Sequence, residues 1–274
     1  MSVATETSAV RRGSPLAALV RRGLLDRRRS PLTWGGSLGA LSALIVAIYP
    51  SLEDQLDELA DSYPQSLLDA FGIQDLSTPE QYLSAEMFSL IVPFAIAFYA
   101  IRSVARAIPG REETGGLDVL LSAPVRRGEL VAAALVVTAV ATAGVLAVVG
   151  ALTQLAALAV GVDLPAGATL AGLASSWAFA LFFAGVAMLA AGFSGRSAAI
   201  SGVAAGALLT MYVLDLVGKL VDGADWVRRL SAWRYYGNAL VDGLDWAAFA
   251  GLAAVGVLLF ALGGRLFARR DVAG

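Results

Sequence analysis

Residues Leu130–Val160 read LVAAALVVTAVATAGVLAVVGALTQLAALAV, an apolar run of 31 residues. As a helix it is about 46 Å long, against a bilayer hydrocarbon core of ~30 Å. It is long enough to cross a membrane and must tilt or project beyond it. Five further runs of span length accompany it: Leu32–Tyr49, Met87–Ile108, Ala166–Phe193, Ala198–Val217 and Ala247–Phe267. Short breaks such as Gly161-Val162-Asp163-Leu164-Pro165 and Ser194-Gly195-Arg196 separate the later ones. The expected fold is therefore all-α and polytopic, with six transmembrane helices.

Composition agrees. Of 274 residues, 58% are hydrophobic and 15% charged, where a globular domain sits near ~45–50% and ~25%. That excludes disorder, collagen-like repeats and a coiled coil. The chain has no Cys, hence no disulfide framework, thiolate nucleophile or zinc-thiolate site. It has no His, hence no Ser-His-Asp triad and no imidazole relay. Its single lysine, Lys219, lies between Gly218 and Leu220 and cannot complete a P-loop. Gly35-Gly36-Ser37-Leu38-Gly39 matches G-x-S-x-G by chance, since a nucleophile elbow needs a strand-to-helix turn and a His. No catalytic residue, metal site or nucleic-acid site is expected.

Basic residues set the orientation. Sixteen lie at the ends of spans that share a side with residues 1–31, and only Lys219, Arg228, Arg229 and Arg234 lie on the other. Both termini are expected in the cytoplasm of a cell-membrane protein. Segment 51–85 holds acids and no Lys or Arg, and is expected outside as short amphipathic helices. Ser14-Pro15 reads as an N-cap followed by proline at the first helical position. Leu16, Leu19, Val20 and Leu24 then share one face, either an interfacial amphipathic helix or a basic topogenic tail. Residues 219–245 carry Trp226, Trp233, Tyr235 and Tyr236, with Trp246 following. They read as an outer hairpin at or dipping into the interface, or as an aromatic belt around a loop.

The segment between the second and third spans carries the most information. Pro109-Gly110 stops the second span, Leu117, Leu120 and Leu121 share one helical face, and Pro124 ends the short helix. Such a helix fits either a lipid surface or a groove on a soluble partner. The run from Arg111 to Arg127 resembles the signature of ABC-2 type transporter permeases, roughly Arg-Glu-x-x-Gly-Thr-Leu-Glu-x-Leu-Leu-x-x-Pro-hydrophobic. Glu112, Gly115, Leu117, Leu120, Leu121 and Pro124 match it; Gly116 stands for Thr and Asp118 for Glu. Phe267-Ala268-Arg269-Arg270-Asp271 is similar to the family's closing Phe-x-x-Arg-Asp. Leu230-Ser231-Ala232-Trp233-Arg234-Tyr235-Tyr236 is similar to its Leu-Ser-Pro-Phe-x-Tyr, with Ala232 in place of Pro.

The resemblance implies an exporter permease without an ATPase of its own. Residues 1–31 would be a basic tail and connecting helix, 32–268 the transmembrane domain, and 269–274 a cytoplasmic tail. Within the domain, 109–128 would be a coupling segment gripping a separate nucleotide-binding subunit. Glu112, Gly115, Leu117, Asp118, Leu120, Leu121 and Pro124 would be its contact residues. Two such subunits, holding ATP and Mg, would pair with two permease copies, identical or related; this chain would hold no cofactor. Hydrophobic or amphipathic cargo is expected from the apolar interior.

Gly35 and Gly39, and Gly202 and Gly206, have G-x-x-x-G spacing. They are candidates for the permease–permease interface or for packing within one subunit. Asp215 with Lys219 four residues on suggests an ion pair at a span's end. Arg102 and Arg106 could snorkel to headgroups or touch the ATPase. Thr153-Gln154 could line a pathway or bond between helices. The alternatives to an exporter are an ion-driven secondary transporter and a non-transporting membrane scaffold or sensor subunit. The first favours inverted repeats and central charges, and neither is evident.

Overall fold

Without water, a backbone must satisfy its own N–H and C=O groups, and a helix does so within one segment. The computed structural model describes residues 14–62, 78–107 and 126–269, with the backbone alone for 53–62. All regular structure among them is helical. Helix α1 spans Pro15–Asp26 and α2 Ser30–Ser62; α3 is the short Pro79–Leu83, followed by a π-helical turn Ser84–Phe88 and by α4, Ile91–Ala107. Then come α5, Arg127–Val160, α6, Ala166–Phe193, and α7, Ser197–Leu220. A 3-10 turn, Asp225–Leu230, and two short helices, α8 (Ala232–Tyr236) and α9 (Ala239–Asp242), lead to α10, Trp246–Arg269.

Five stretches are each long and apolar enough to cross a membrane: Ser30–Leu52, α5, α6, α7 and α10. The expected second span, Met87–Ile108, is not one straight helix. It is a pair, Pro79–Phe88 and Ile91–Ala107, bent by 43° at a short break. Counted as one crossing, the pair brings the total to six. The 17 residues of α4 cover about 26 Å. The cause of the break is local. The π turn ends with Ser89 N–H donating to Ser84 O at 2.8 Å, and Pro93 has no N–H to offer the Ser89 carbonyl.

A second difference concerns the first span. Its apolar run is Leu32–Tyr49, yet the helix continues through Pro50 to Ser62. An internal proline costs one ladder bond, and the Leu-Glu-Asp-Gln-Leu stretch that follows holds mostly good helix formers. The start of the acidic segment is thus a continuation of the span.

The core sits around α6, which packs against α4, α5, α7 and α10. Phe179, Phe183 and Met188 of α6 are fully buried with Ile96 and Ile101 of α4 and Phe260 and Phe267 of α10. Large apolar side chains such as Leu44, Leu158, Leu170, Leu209 and Leu258 remain exposed. So much uncovered apolar surface suits lipid rather than water.

The α6–α10 contact is the closest. A Cβ on Gly256 would stand 2.7 Å from the Leu181 carbonyl oxygen. One on Gly263 would overlap the Met188 carbonyl and come 2.5 Å from Leu189 N, and one on Gly185 would overlap the Gly256 carbonyl. Gly185 and Gly192 on α6, and Gly256 and Gly263 on α10, each repeat after seven residues, so both helices present a backbone-only groove.

At the start of the chain, Ser14 precedes α1 with Pro15 in its first turn. Leu16, Leu19, Val20 and Leu24 are half-buried while Arg21 and Arg22 are exposed. Gly23 lies against Val137 of α5, and no residue of α1 is fully buried. One side of α1 rests on the bundle and the rest of its surface is uncovered.

Candidate functional site

The chain builds two polar ends on an apolar bundle. At the first, α4 ends at Ala107 and α5 begins at Arg127. The residues expected to meet an ATPase, Glu112, Gly115, Leu117, Asp118, Leu120, Leu121 and Pro124, lie outside the described residues. Their frame is described. Arg126 N–H donates to Glu129 Oε2 at 3.0 Å and starts α5. Arg127 Nη1 donates to the Ala268 carbonyl of α10 at 3.3 Å. Arg27, between α1 and α2, donates to the Ser103 carbonyl of α4 at 2.8 Å and to its hydroxyl. The Ser103 hydroxyl also bonds Thr138 of α5, at 3.0 Å. Ser30 Oγ donates to the Tyr99 hydroxyl at 3.0 Å. Sequence reasoning counted Arg27 only as one basic charge among many; it ties the α1–α2 junction to α4 and, through the Ser103 hydroxyl, to α5. Arg102, over the Phe98 ring, and Arg106 are exposed here.

The two glycine pairs separate. Gly35 and Gly39 are occupied within the chain: a Cβ on Gly35 would stand 2.7 Å from the Val145 carbonyl oxygen, and one on Gly39 2.7 Å from Leu152 Cδ1. Gly202 and Gly206 meet nothing within 4 Å. They share α7 with the exposed Val203, Leu209, Val213 and Val217. Thr153 and Gln154 make bonds between elements. The Thr153 hydroxyl is 2.7 Å from that of Ser42 on α2, and Gln154 Nε2 donates to Thr169 Oγ1 of α6 at 2.7 Å.

At the second end, the hairpin between α7 and α10 folds back among the spans. Ser231 directs it. Its hydroxyl donates to the Met211 carbonyl of α7 at 2.6 Å and accepts from Trp233 N–H at 3.1 Å. That turns Trp233 inward. Its ring lies 5.0 Å from Phe94 of α4, 5.0 Å from Phe179 of α6 and 5.1 Å from Tyr212 of α7. The Tyr236 hydroxyl donates to the Phe88 carbonyl at 2.9 Å, and Ser175 Oγ donates to the Tyr236 carbonyl at 2.7 Å. Burial pushes the Tyr236 phenol far above its ordinary range, the Ser176 hydroxyl opposing only in part. Gly237, at φ +62°, turns the chain away in a conformation that side chains rarely adopt. Trp233 is 7% exposed, whereas Trp226 and Trp246 are 62% and 72% exposed. The aromatics therefore divide: Trp233 and Tyr236 turn inward against the bundle, while Trp226 and Trp246 stay exposed.

A charge chain fastens the hairpin to α7. Asp215, buried, takes Lys219 Nζ at 3.1 Å and Arg228 Nε at 3.1 Å. Arg228 Nη1 also reaches Asp225 at 3.0 Å, and Arg234 Nη1 reaches Asp225 at 3.4 Å. The expected Asp215–Lys219 pair is present; Arg228, thirteen residues beyond Asp215, was not foreseen. Among the described residues Asp215 is the only buried charged side chain. Asp215→Asn keeps the shape and removes the charge that both cations share. It should cost about 1–3 kcal/mol. Hydrogen exchange across 222–238 should then rise selectively, and unchanged protection there would show that the ion pairs do not hold the hairpin.

A cavity of about 250 Å³ lies between the hairpin and the bundle, lined by Ser84, Phe88, Leu90, Asp215, Lys219, Arg228, Trp233 and Arg234 among others. Among the described residues no group of His, Cys, Asp or Glu is arranged to hold a metal ion.

Residues 13–268 match the family described as "Multidrug efflux system permease Rv1217c, C-terminal domain". Comparison with curated proteins gives no match.

Proposed function

Since the chain belongs to the Rv1217c multidrug efflux permease C-terminal domain family and has the multi-span helical fold of a membrane permease, we propose that it is the membrane subunit of an ABC-2 type exporter. In this reading it moves hydrophobic or amphipathic compounds outward across the cell membrane, with both termini in the cytoplasm. A separate nucleotide-binding subunit, present in two copies, hydrolyses ATP with Mg and grips the 109–128 segment. The observation that carries the reading is the match across residues 13–268. Two others support it. The 111–127 run resembles the ABC-2 signature, and it falls between the end of α4 at Ala107 and the start of α5 at Arg127, at the arginine-rich end of the bundle. The one buried charge among the described residues, Asp215, is at the end of a span and already paired, so the described spans offer little for ion coupling.

The test is transport in inverted membrane vesicles containing the chain and its nucleotide-binding partner. Uptake of an apolar fluorescent dye should require ATP and stop when the partner's ATPase is disabled. Uptake driven by a proton gradient without ATP would overturn the proposal.

In the same reading the second permease copy docks on the Gly202–Gly206 face of α7, where small residues permit close approach and nothing in the chain covers them. Gly202→Leu/Gly206→Leu should preserve the melting temperature of the purified chain while shifting cross-linked material from dimer to monomer. An unchanged dimer fraction would place the interface elsewhere.

A further inference from the structure

The hairpin cavity has a lining unlike the rest of the bundle. Three cations, Lys219, Arg228 and Arg234, and one carboxylate, Asp215, contribute to its wall. Asp225, reached by Arg228 and Arg234, brings the sum to one positive charge. Trp233 also lines the cavity, and its indole N–H, buried, has no acceptor among the described residues. A buried donor left unmade is costly, and a buried Trp N–H usually finds a partner. Tyr236 beside it is committed elsewhere: its hydroxyl donates to Phe88 O. Phe88, Leu90 and Leu216 add apolar surface to the wall, and Leu90 is partly exposed. The cavity lies near the end of α7 at Leu220, the close of a helix long and apolar enough to cross a membrane.

We propose that this cavity binds one anionic amphiphile. Its oxyanion headgroup accepts from the Trp233 indole N–H and the Arg234 guanidinium, and its apolar chain leaves past Leu90 and Leu216. A singly charged headgroup balances the one excess positive charge. A neutral headgroup would leave that charge unmatched, and a cation would be repelled by it. The site lies within one subunit and requires neither ATP nor a partner, so its test is independent of the export reading.

The test is native mass spectrometry of the full chain in maltoside micelles, titrated with phosphatidylglycerol, with phosphatidylcholine of the same acyl chains, and with inorganic phosphate. One phosphatidylglycerol should be retained about tenfold more tightly than phosphatidylcholine, and millimolar phosphate should fail to displace it. Trp233→Phe keeps the ring against Phe94 and Phe179 and removes only the N–H; Arg234→Gln removes the charge at the rim. Each should weaken phosphatidylglycerol retention about tenfold, the scale of a hydrogen bond to a charged group. Thermal unfolding checks that each variant is folded, and Arg234→Gln decides the matter if Trp233→Phe is not. Equal retention of phosphatidylglycerol by the wild type and a folded variant overturns the proposal. So does equal retention of the two lipids, and displacement by phosphate would make the ligand a free oxyanion rather than an amphiphile.

Discussion

Gly263→Leu should yield little or no folded bundle. The α6–α10 contact is one of backbone on backbone, and a Cβ at 263 already overlaps the Met188 carbonyl and sits 2.5 Å from Leu189 N. Neither neighbour is a side chain that can rotate away, so two helices must part along their length. Parting them uncovers Phe260 and Phe267, both fully buried. Overpacking a core costs about 1–3 kcal/mol where side chains can yield. With only backbone to move, the cost lies at or above the top of that range, on the order of 3 kcal/mol or more. Gly251→Leu is the matched control, since it lies on the same helix and meets nothing within 4 Å. Size-exclusion profiles and melting curves of fluorescent-protein fusions should show a loss of monodisperse protein for Gly263→Leu alone. A melting temperature within two or three degrees of wild type would mean that the helices do not pack this closely.

The same contact shows what the sequence discloses and what it withholds. Apolar density alone located α6 at Ala166–Phe193, and the expected bounds of α5, α7 and α10 agree with the structure to within about three residues. Lipid leaves long apolar runs one backbone solution, so these bounds depend on nothing distant. The 43° break before α4 does depend on something else. Met87–Ile108 reads as one apolar run with Arg102 and Arg106 near one end, and its bend comes from a π turn and from Pro93. Glycine spacing suggested close approach without naming a partner. Gly35 and Gly202 stand in the same motif, yet one lies against α5 and the other is uncovered. The seven-residue repeats Gly185/Gly192 and Gly256/Gly263 are visible in the chain, but a spacing of seven does not carry the G-x-x-x-G signal of close approach. Trp233 and Trp226 are alike as letters. Ser231, bonded to Met211 O, decides which of them turns inward, and that bond joins residues twenty apart that only the folded hairpin brings together.

The expected ATPase contact can be tested through two leucines. Leu117→Asp/Leu120→Asp should abolish ATP-dependent transport and capture of the nucleotide-binding subunit while leaving the membrane domain folded. The two residues are three apart, on the apolar face of the short helix expected within 109–128. If that face docks into a groove on the ATPase, each buried leucine contributes about 1.5–3 kcal/mol. Replacing both also asks two carboxylates to enter the groove. Capture should therefore weaken by more than about a hundredfold. The bundle has its own fastenings on either side: Arg27 to Ser103 on α4, Glu129 at the start of α5, and Arg127 to Ala268 on α10. None of them uses 109–125, so the melting temperature of the isolated chain should not change. If the face rested on lipid instead, two carboxylates would lower membrane affinity without touching capture. Equal recovery of the ATPase by wild type and variant would therefore remove the coupling role, and a changed melting temperature would show that the segment packs on its own bundle.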